Sequence, residues 1–224
     1  MTNQEFSNEF DILYNNIASN QAPGLDEYEK SVFLTDAQDA LVLEMITGKN
    51  LTGDSFEKTE EIRQYLTDII KTAELTKSED SNIQKISKKS TLYDTPEDLW
   101  VTTYESVSFE NDDCNEYIAV LPVTQDEFSR IIKNPFKKAS NNRVLRLNIA
   151  GKIELVSEYN IDKYTIRYIK KLNPIILSDL PTGLSIKGKT NETNCELNPA
   201  LHEAILGRAV QLAKASMGLI ESGR

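Results

Sequence analysis

The side chains best suited to metal ligation or nucleophilic chemistry are scarce in this 224-residue chain: one histidine, His202, and two cysteines, Cys114 and Cys195. A Ser-His-Asp relay would have to use His202, yet no GxSxG-like nucleophile elbow is present. Its place near the start of an amphipathic helix reads as a packing or hydrogen-bonding role. Structural and catalytic zinc want several Cys or His ligands, and these scattered residues do not supply them. The run NDDCNE at 111–116 offers oxygen ligands for a hard cation. It lacks the glycine and the distal glutamate of an EF-hand loop, so it reads as a solvated turn. No P-loop and no GxGxxG follows any predicted strand. The 35 carboxylates show no spacing that singles out a general acid and base. The expectation is a non-enzyme with no catalytic residue, no cofactor and no metal.

The net charge of −10 is unevenly spread. Residues 1–82 hold 17 acidic and 6 basic side chains, and residues 83–224 hold 18 acidic and 19 basic. A protein that grips phosphates needs the opposite balance, so no measurable duplex binding is expected at physiological salt. The cationic spots are Lys133, Lys137, Lys138, Arg143 and Arg146, then Arg167, Lys170 and Lys171, with Phe136 and Tyr168 as isolated aromatics. Read against the charge split, basic groups of a sheet could meet acidic groups of helices on a neighbouring copy. Arg167, Lys170, Lys171 and, further on, Arg208 are the candidate subunit-interface residues. Cys114 and Cys195 lie in polar loops without CxxC spacing, which fits a reducing cytoplasm. No apolar run reaches the roughly 20 residues that span a bilayer, and the opening residues are a polar helix, so neither a membrane segment nor a secretory signal is expected.

The elements that must position these groups follow from periodicity. Thr2 with Glu5 is a capping box before Phe6, Phe10, Leu13, Tyr14 and Ile17, giving a helix to about 19. A short turn is predicted at 26–30, a helix over 35–47 opening on Thr35 and Gln38, and a third helix over 57–73 with Ile62, Tyr65, Leu66, Ile69 and Ile70 inward. Residues 75–90 read as a boundary with one edge strand. Beyond it come a long strand ending near Phe109, a central strand over 117–121, and a short helix over 125–133 with Phe128, Ile131 and Ile132 inward. A hairpin over 143–159 turning at Ala150-Gly151 and a strand over 164–171 complete the set. Asn198-Pro199 opens the last helix, whose Leu201, Ile205 and Leu212 should be buried.

A resemblance adds to this reading. LHEAILGRAVQLA at 201–213, preceded by IRYIKK at 166–171 and PIIL at 174–177, resembles the ring-forming neck proteins of crAss-like bacteriophages. NEFDILYNN at 8–16 and APGLDEYEKS at 22–31 resemble the same group. A more distant similarity is to the head-to-tail adaptors of short-tailed phages. The resemblance implies an α+β fold: a helical bundle of three N-terminal helices plus the C-terminal helix, with an inserted, mostly antiparallel β-sheet. The chain divides accordingly into 1–80, helical; 81–180, sheet; and 181–224, loop and returning helix. It further implies a structural virion protein of the head–tail neck, made in the host cytoplasm. Copies would form a ring, a dodecamer on the family pattern, joining the portal protein to other neck and tail ring proteins, with packaged DNA passing nearby unbound. An acidic accessory protein, binding a host factor or mimicking DNA, is the alternative.

Overall fold

The computed structural model describes residues 1–15, 24–48, 60–79, 83–110 and 117–216. The chain divides into two compact units, Met1–Ile69 with Leu172–Arg224, and Ile70–Lys171.

The first unit is helical. Helix α1 (Asn3–Asn15) opens on the expected box: the Glu5 amide donates to Thr2 Oγ1 at 3.3 Å and the Thr2 amide to Glu5 Oε2 at 2.8 Å. It buries Phe6, Phe10 and Tyr14, whereas Leu13 is exposed. Helix α2 (Glu27–Thr47) is one continuous helix where a turn and a separate helix are predicted. Its start is fixed earlier, because Asp26 and Glu29 form a complete capping box. Thr35 and Gln38, read as a helix start, are buried in its middle.

Their position has a physical reason. Ser31, Thr35 and Gln38 recur at i, i+4 and i+7, one stripe of a helix, and they satisfy the backbone of the extended 173–177 segment. Gln38 Nε2 donates to the Asn173 carbonyl at 2.9 Å, Ser31 Oγ accepts from the Leu177 amide at 3.0 Å, and Thr35 Oγ1 accepts from the Ile175 amide at 3.1 Å while donating to its carbonyl at 3.3 Å. Ile175 and Ile176 are fully buried there. Thr35→Val keeps the shape but leaves both polar groups of Ile175 unpaired, so it is expected to cost about 1–2 kcal/mol by urea unfolding.

Helix α5 (His202–Ser216) follows a 3-10 turn at Pro199–Leu201, where Asn198 Oδ1 accepts from the Ala200 amide at 3.0 Å. It packs against α1 and α2. Leu201 and Ile205 are buried as expected. Leu212 is not, since the buried stripe runs instead through Leu206, Ala209, Val210 and Ala213. The third helix, expected to run to residue 73, stops earlier: α3 (Glu60–Leu66) gives way to a 3-10 turn at Thr67–Ile69 and then to a strand from Ile70.

The second unit holds a seven-stranded mixed sheet: β1 (Ile70–Glu74), β2 (Ser90–Asp94), β3 (Leu99–Phe109), β4 (Ile118–Pro122), β5 (Val144–Ile149), β6 (Lys152–Val156) and β7 (Ile161–Lys170), in the order β1-β7-β3-β4-β5-β6-β2. The β4–β5 pair is parallel and every other pair antiparallel. Helix α4 (Gln125–Ile131) supplies the crossover that the parallel pair requires. The β5–β6 hairpin turns on Ala150 and Gly151, with φ of 47° and 74°, the two left-handed residues of a tight hairpin. Strand β5 alternates between two cores. Val144 joins Tyr93, Val107, Leu155, Tyr164 and Ile166 on one side, while Leu145 and Leu147 pack with Phe128 on the other. Ile132, expected inward, is exposed.

Candidate functional site

In the helical unit, His202 is buried and packs on Phe6 with ring centroids 5.2 Å apart. Its Nε2 lies 3.1 Å from the Leu197 carbonyl and its Nδ1 2.7 Å from the Met1 ammonium. Those partners assign the neutral tautomer with the proton on Nε2, so that Nδ1 accepts. Burial holds the ring below the usual 6.5; the Leu197 bond opposes this and the Met1 charge reinforces it. The folded-state value is the lower one, so this contribution to stability is present above pH 6.5 and lost as pH falls below it. Thermal melts of the wild type should therefore weaken on acidification past that point, and His202→Gln should flatten that part of the pH profile.

Cys195 is half-buried, its Sγ 3.4 Å from Gln38 Oε1, and burial pushes its thiol upward, which disfavours the reactive thiolate. Cys114 and the oxygen-rich run 111–116 lie outside the described residues. Among the described residues no group of three His, Cys, Asp or Glu is placed to hold a metal ion, and no helix is long and apolar enough to cross a membrane.

Polar chemistry inside the sheet unit is turned inward on itself. Glu105 is buried, accepts from the Tyr164 hydroxyl, and lies 3.0 Å from Arg146 Nε in an ion pair without hydrogen-bond alignment. Burial pushes the Glu105 carboxyl up, with Tyr164 and Arg146 opposing. Tyr93 stands edge-on to Tyr164 with centroids 5.0 Å apart. Asp98 accepts from Tyr168 at 2.8 Å and pairs with Lys71 at 2.6 Å; burial and the Asp98 bond push the Tyr168 phenol up to about 12. An open groove of about 450 Å³ runs past Trp100, Arg146 and Lys152. Both of its cations are matched within the chain, Arg146 by Glu105 and Lys152 by Asp94 at 2.6 Å. These are structural networks, and none presents an aligned acid, base and nucleophile.

The surface charge, by contrast, is unbalanced. Residues 70–171 carry 16 acidic and 16 basic side chains and are neutral, so the helical unit, with 19 acidic and 9 basic, carries the entire −10. Within the neutral unit the basic groups are concentrated. From Phe128 to Ile153 there are seven basic side chains and no acidic one. The separate cationic spots of the sequence hide this run; a window scored for missing acids would have found it.

The four candidate interface residues are divided between the units. Arg167 is exposed on β7, its guanidinium 6.0 Å from the Tyr104 ring centroid. Lys170 is half-buried, and, as odd and even positions of one strand, Arg167 and Lys170 point to opposite faces. Lys171 is exposed just past the strand, its Nζ donating to the Glu97 carbonyl at 3.2 Å. Arg208 belongs to the helical unit, where it joins α5 to α2 through a 2.7 Å pair with Glu44. Both of those side chains are about one-third exposed, so the pair contributes at most about 1 kcal/mol.

The family model described as phage tail ring protein 3/4 matches residues 1–223. Ring protein 3 of Bacteroides phage crAss001 is 48% identical over 220 residues, covering 95% of this chain and 95% of that protein. Ring protein 4/5 of the same phage is 35% identical over 227 positions, covering 96% and 93%.

Proposed function

The chain belongs to the phage tail ring protein 3/4 family, and we propose that it is a structural subunit of the neck that joins the capsid portal to the tail. Copies close into a ring, a dodecamer in this reading, contacting the portal protein and other neck and tail rings, and packaged DNA passes through without specific binding. The subunit is made in the host cytoplasm and ends in the virion. The role is mechanical: surfaces hold neighbours in register and no reaction is catalysed. The carrying observation is the charge division, an acidic helical unit and a neutral sheet unit with an acid-free basic run. Unlike charges on different parts of one subunit favour a head-to-tail contact between copies and disfavour like-to-like pairing. Acidic helices facing the channel would repel the phosphate backbone and keep DNA mobile. Arg167, Lys170, Lys171 and Arg208 are placed at contacts between subunits in this proposal. Imaging the neck of purified particles tests it. A closed ring of this chain between portal and tail is the expected result, and particles lacking the chain would remove the proposal.

A further inference from the structure

The most exposed large hydrophobic side chain among the described residues is Phe136, at 86%. It is presented by a well-tied loop. Asn134 Oδ1 accepts from the Phe136 amide at 2.9 Å, and the Asn134 carbonyl accepts from the Lys137 and Lys138 amides at 3.1 and 2.9 Å. Arg143 donates to the Phe136 carbonyl, and Pro135 restricts φ just before it. The ring is thus held outward by a backbone already ordered, which lowers the entropy lost when a partner covers it. Lys133 and Lys137 beside it are exposed, and neither makes an ion pair among the described residues.

A complementary patch lies on α1. Ile12 and Leu13 are 58% and 40% exposed, and Glu9 and Glu5, three and seven residues before Ile12, are exposed along the same helical face. The last turn of α1 carries no basic residue. One surface is therefore an aromatic ring flanked by lysines, and the other is a pair of aliphatic side chains flanked by glutamates.

Resting on the ring-subunit reading, we propose that Phe136 of one copy seats against Ile12 and Leu13 on α1 of a second copy of this chain, with Lys133 and Lys137 facing Glu5 and Glu9. The two patches differ, so the contact is heterologous, and each copy keeps one of each patch free to continue the chain of contacts until it closes. An exposed aromatic centre with charged rims is the composition of an interface hot spot.

The test uses full-length chain with Cys114→Ser and Cys195→Ser. Lys133→Cys is placed in one preparation and Asn8→Cys in another, which leaves Phe136 and Ile12 intact. Mixed and treated with a short bismaleimide, the two should yield a dimer-sized cross-link that neither yields alone. Phe136→Glu should leave the melting temperature unchanged and raise the concentration needed for assembly about 30-fold. Lys137→Glu should weaken assembly, and Glu9→Lys in the same chain should restore it. If rings form but the mixed cross-link is absent, or if Phe136→Glu assembles like wild type, the inference is overturned while the ring function stands. A wild-type chain that never associates, in solution or in particles, removes both. Salt-sensitive retention of duplex DNA that Phe136→Glu abolishes would reassign the patch to nucleic acid and overturn it as well.

Discussion

Replacing Ile205 with alanine should lower the stability of the helical unit by about 2–5 kcal/mol, the range for removing a fully buried aliphatic side chain. Ile205 is 0% exposed on α5, the helix that packs against both α1 and α2. The loss combines the apolar surface no longer buried with the cavity left behind. Around it sit Leu201 one turn before, and Leu206 and Ala209 beside and after, all buried, so the wall has little freedom to collapse. Chemical unfolding of the monomer measures the effect. The control is Leu212→Ala on the same helix. Leu212 is 36% exposed, so its truncation should cost well under half as much. Equal costs at both positions would mean that α5 is rotated from the orientation described.

Lys30→Met should cost about 2–4 kcal/mol, through a different mechanism. Lys30 is 3% exposed, and its three ammonium donors are fully used: Asp11 Oδ2 at 2.7 Å, Glu27 Oε1 at 3.1 Å and Ser7 Oγ at 3.2 Å. Ser7 in turn donates to Glu27 at 2.7 Å, closing the network between α1 and α2. Methionine preserves the apolar stem and removes the charge, leaving the Asp11 and Glu27 carboxylates without their shared cation. Asp11 and Glu27 are nearly half exposed, and water's access to them keeps the loss below that of a fully enclosed pair. Burial works to lower the Lys30 pKa, but the hydrogen bonds Lys30 donates to Asp11 and Glu27, together with their negative charges, outweigh it and the net shift is upward from 10.5. The sign follows: this contribution is complete below pH 10.5 and is lost only as pH rises through the higher folded value. Wild-type and Lys30→Met stabilities should therefore differ most at neutral pH and converge at strongly alkaline pH.

Where local chemistry and tertiary structure agree, the elements are legible from the residues. The Thr2–Glu5 box, the Asn198-Pro199 start of α5 and the Ala150-Gly151 hairpin each have a mechanism that acts within four residues. Misreadings arise where distant chain supplies the partners. Ile62, Tyr65, Leu66, Ile69 and Ile70 fit a helical period, yet Ile70–Glu74 pairs with β7, Ile70 opposite Ile169, because the sheet offers its backbone a ladder. Thr35 and Gln38 imitate a helix start because the residue types that cap helices are also those that satisfy a foreign backbone, here the 173–177 segment. Lys30, one of 25 basic residues, gives no local sign that it is buried. The candidate interface was legible only as scattered cations; Phe136 gains its meaning from an exposure that a sequence does not display.

In the proposed assembly, copies of this chain join one another head to tail through unlike charged surfaces. Sedimentation velocity of the purified full-length chain across a salt series is the decisive measurement. The expected result is a closed oligomer of one defined mass at low ionic strength, giving way to monomer as salt rises and the charge attraction is screened. A chain that stays monomeric or dimeric at every salt concentration, and that shows no contact between its copies in purified particles, overturns it.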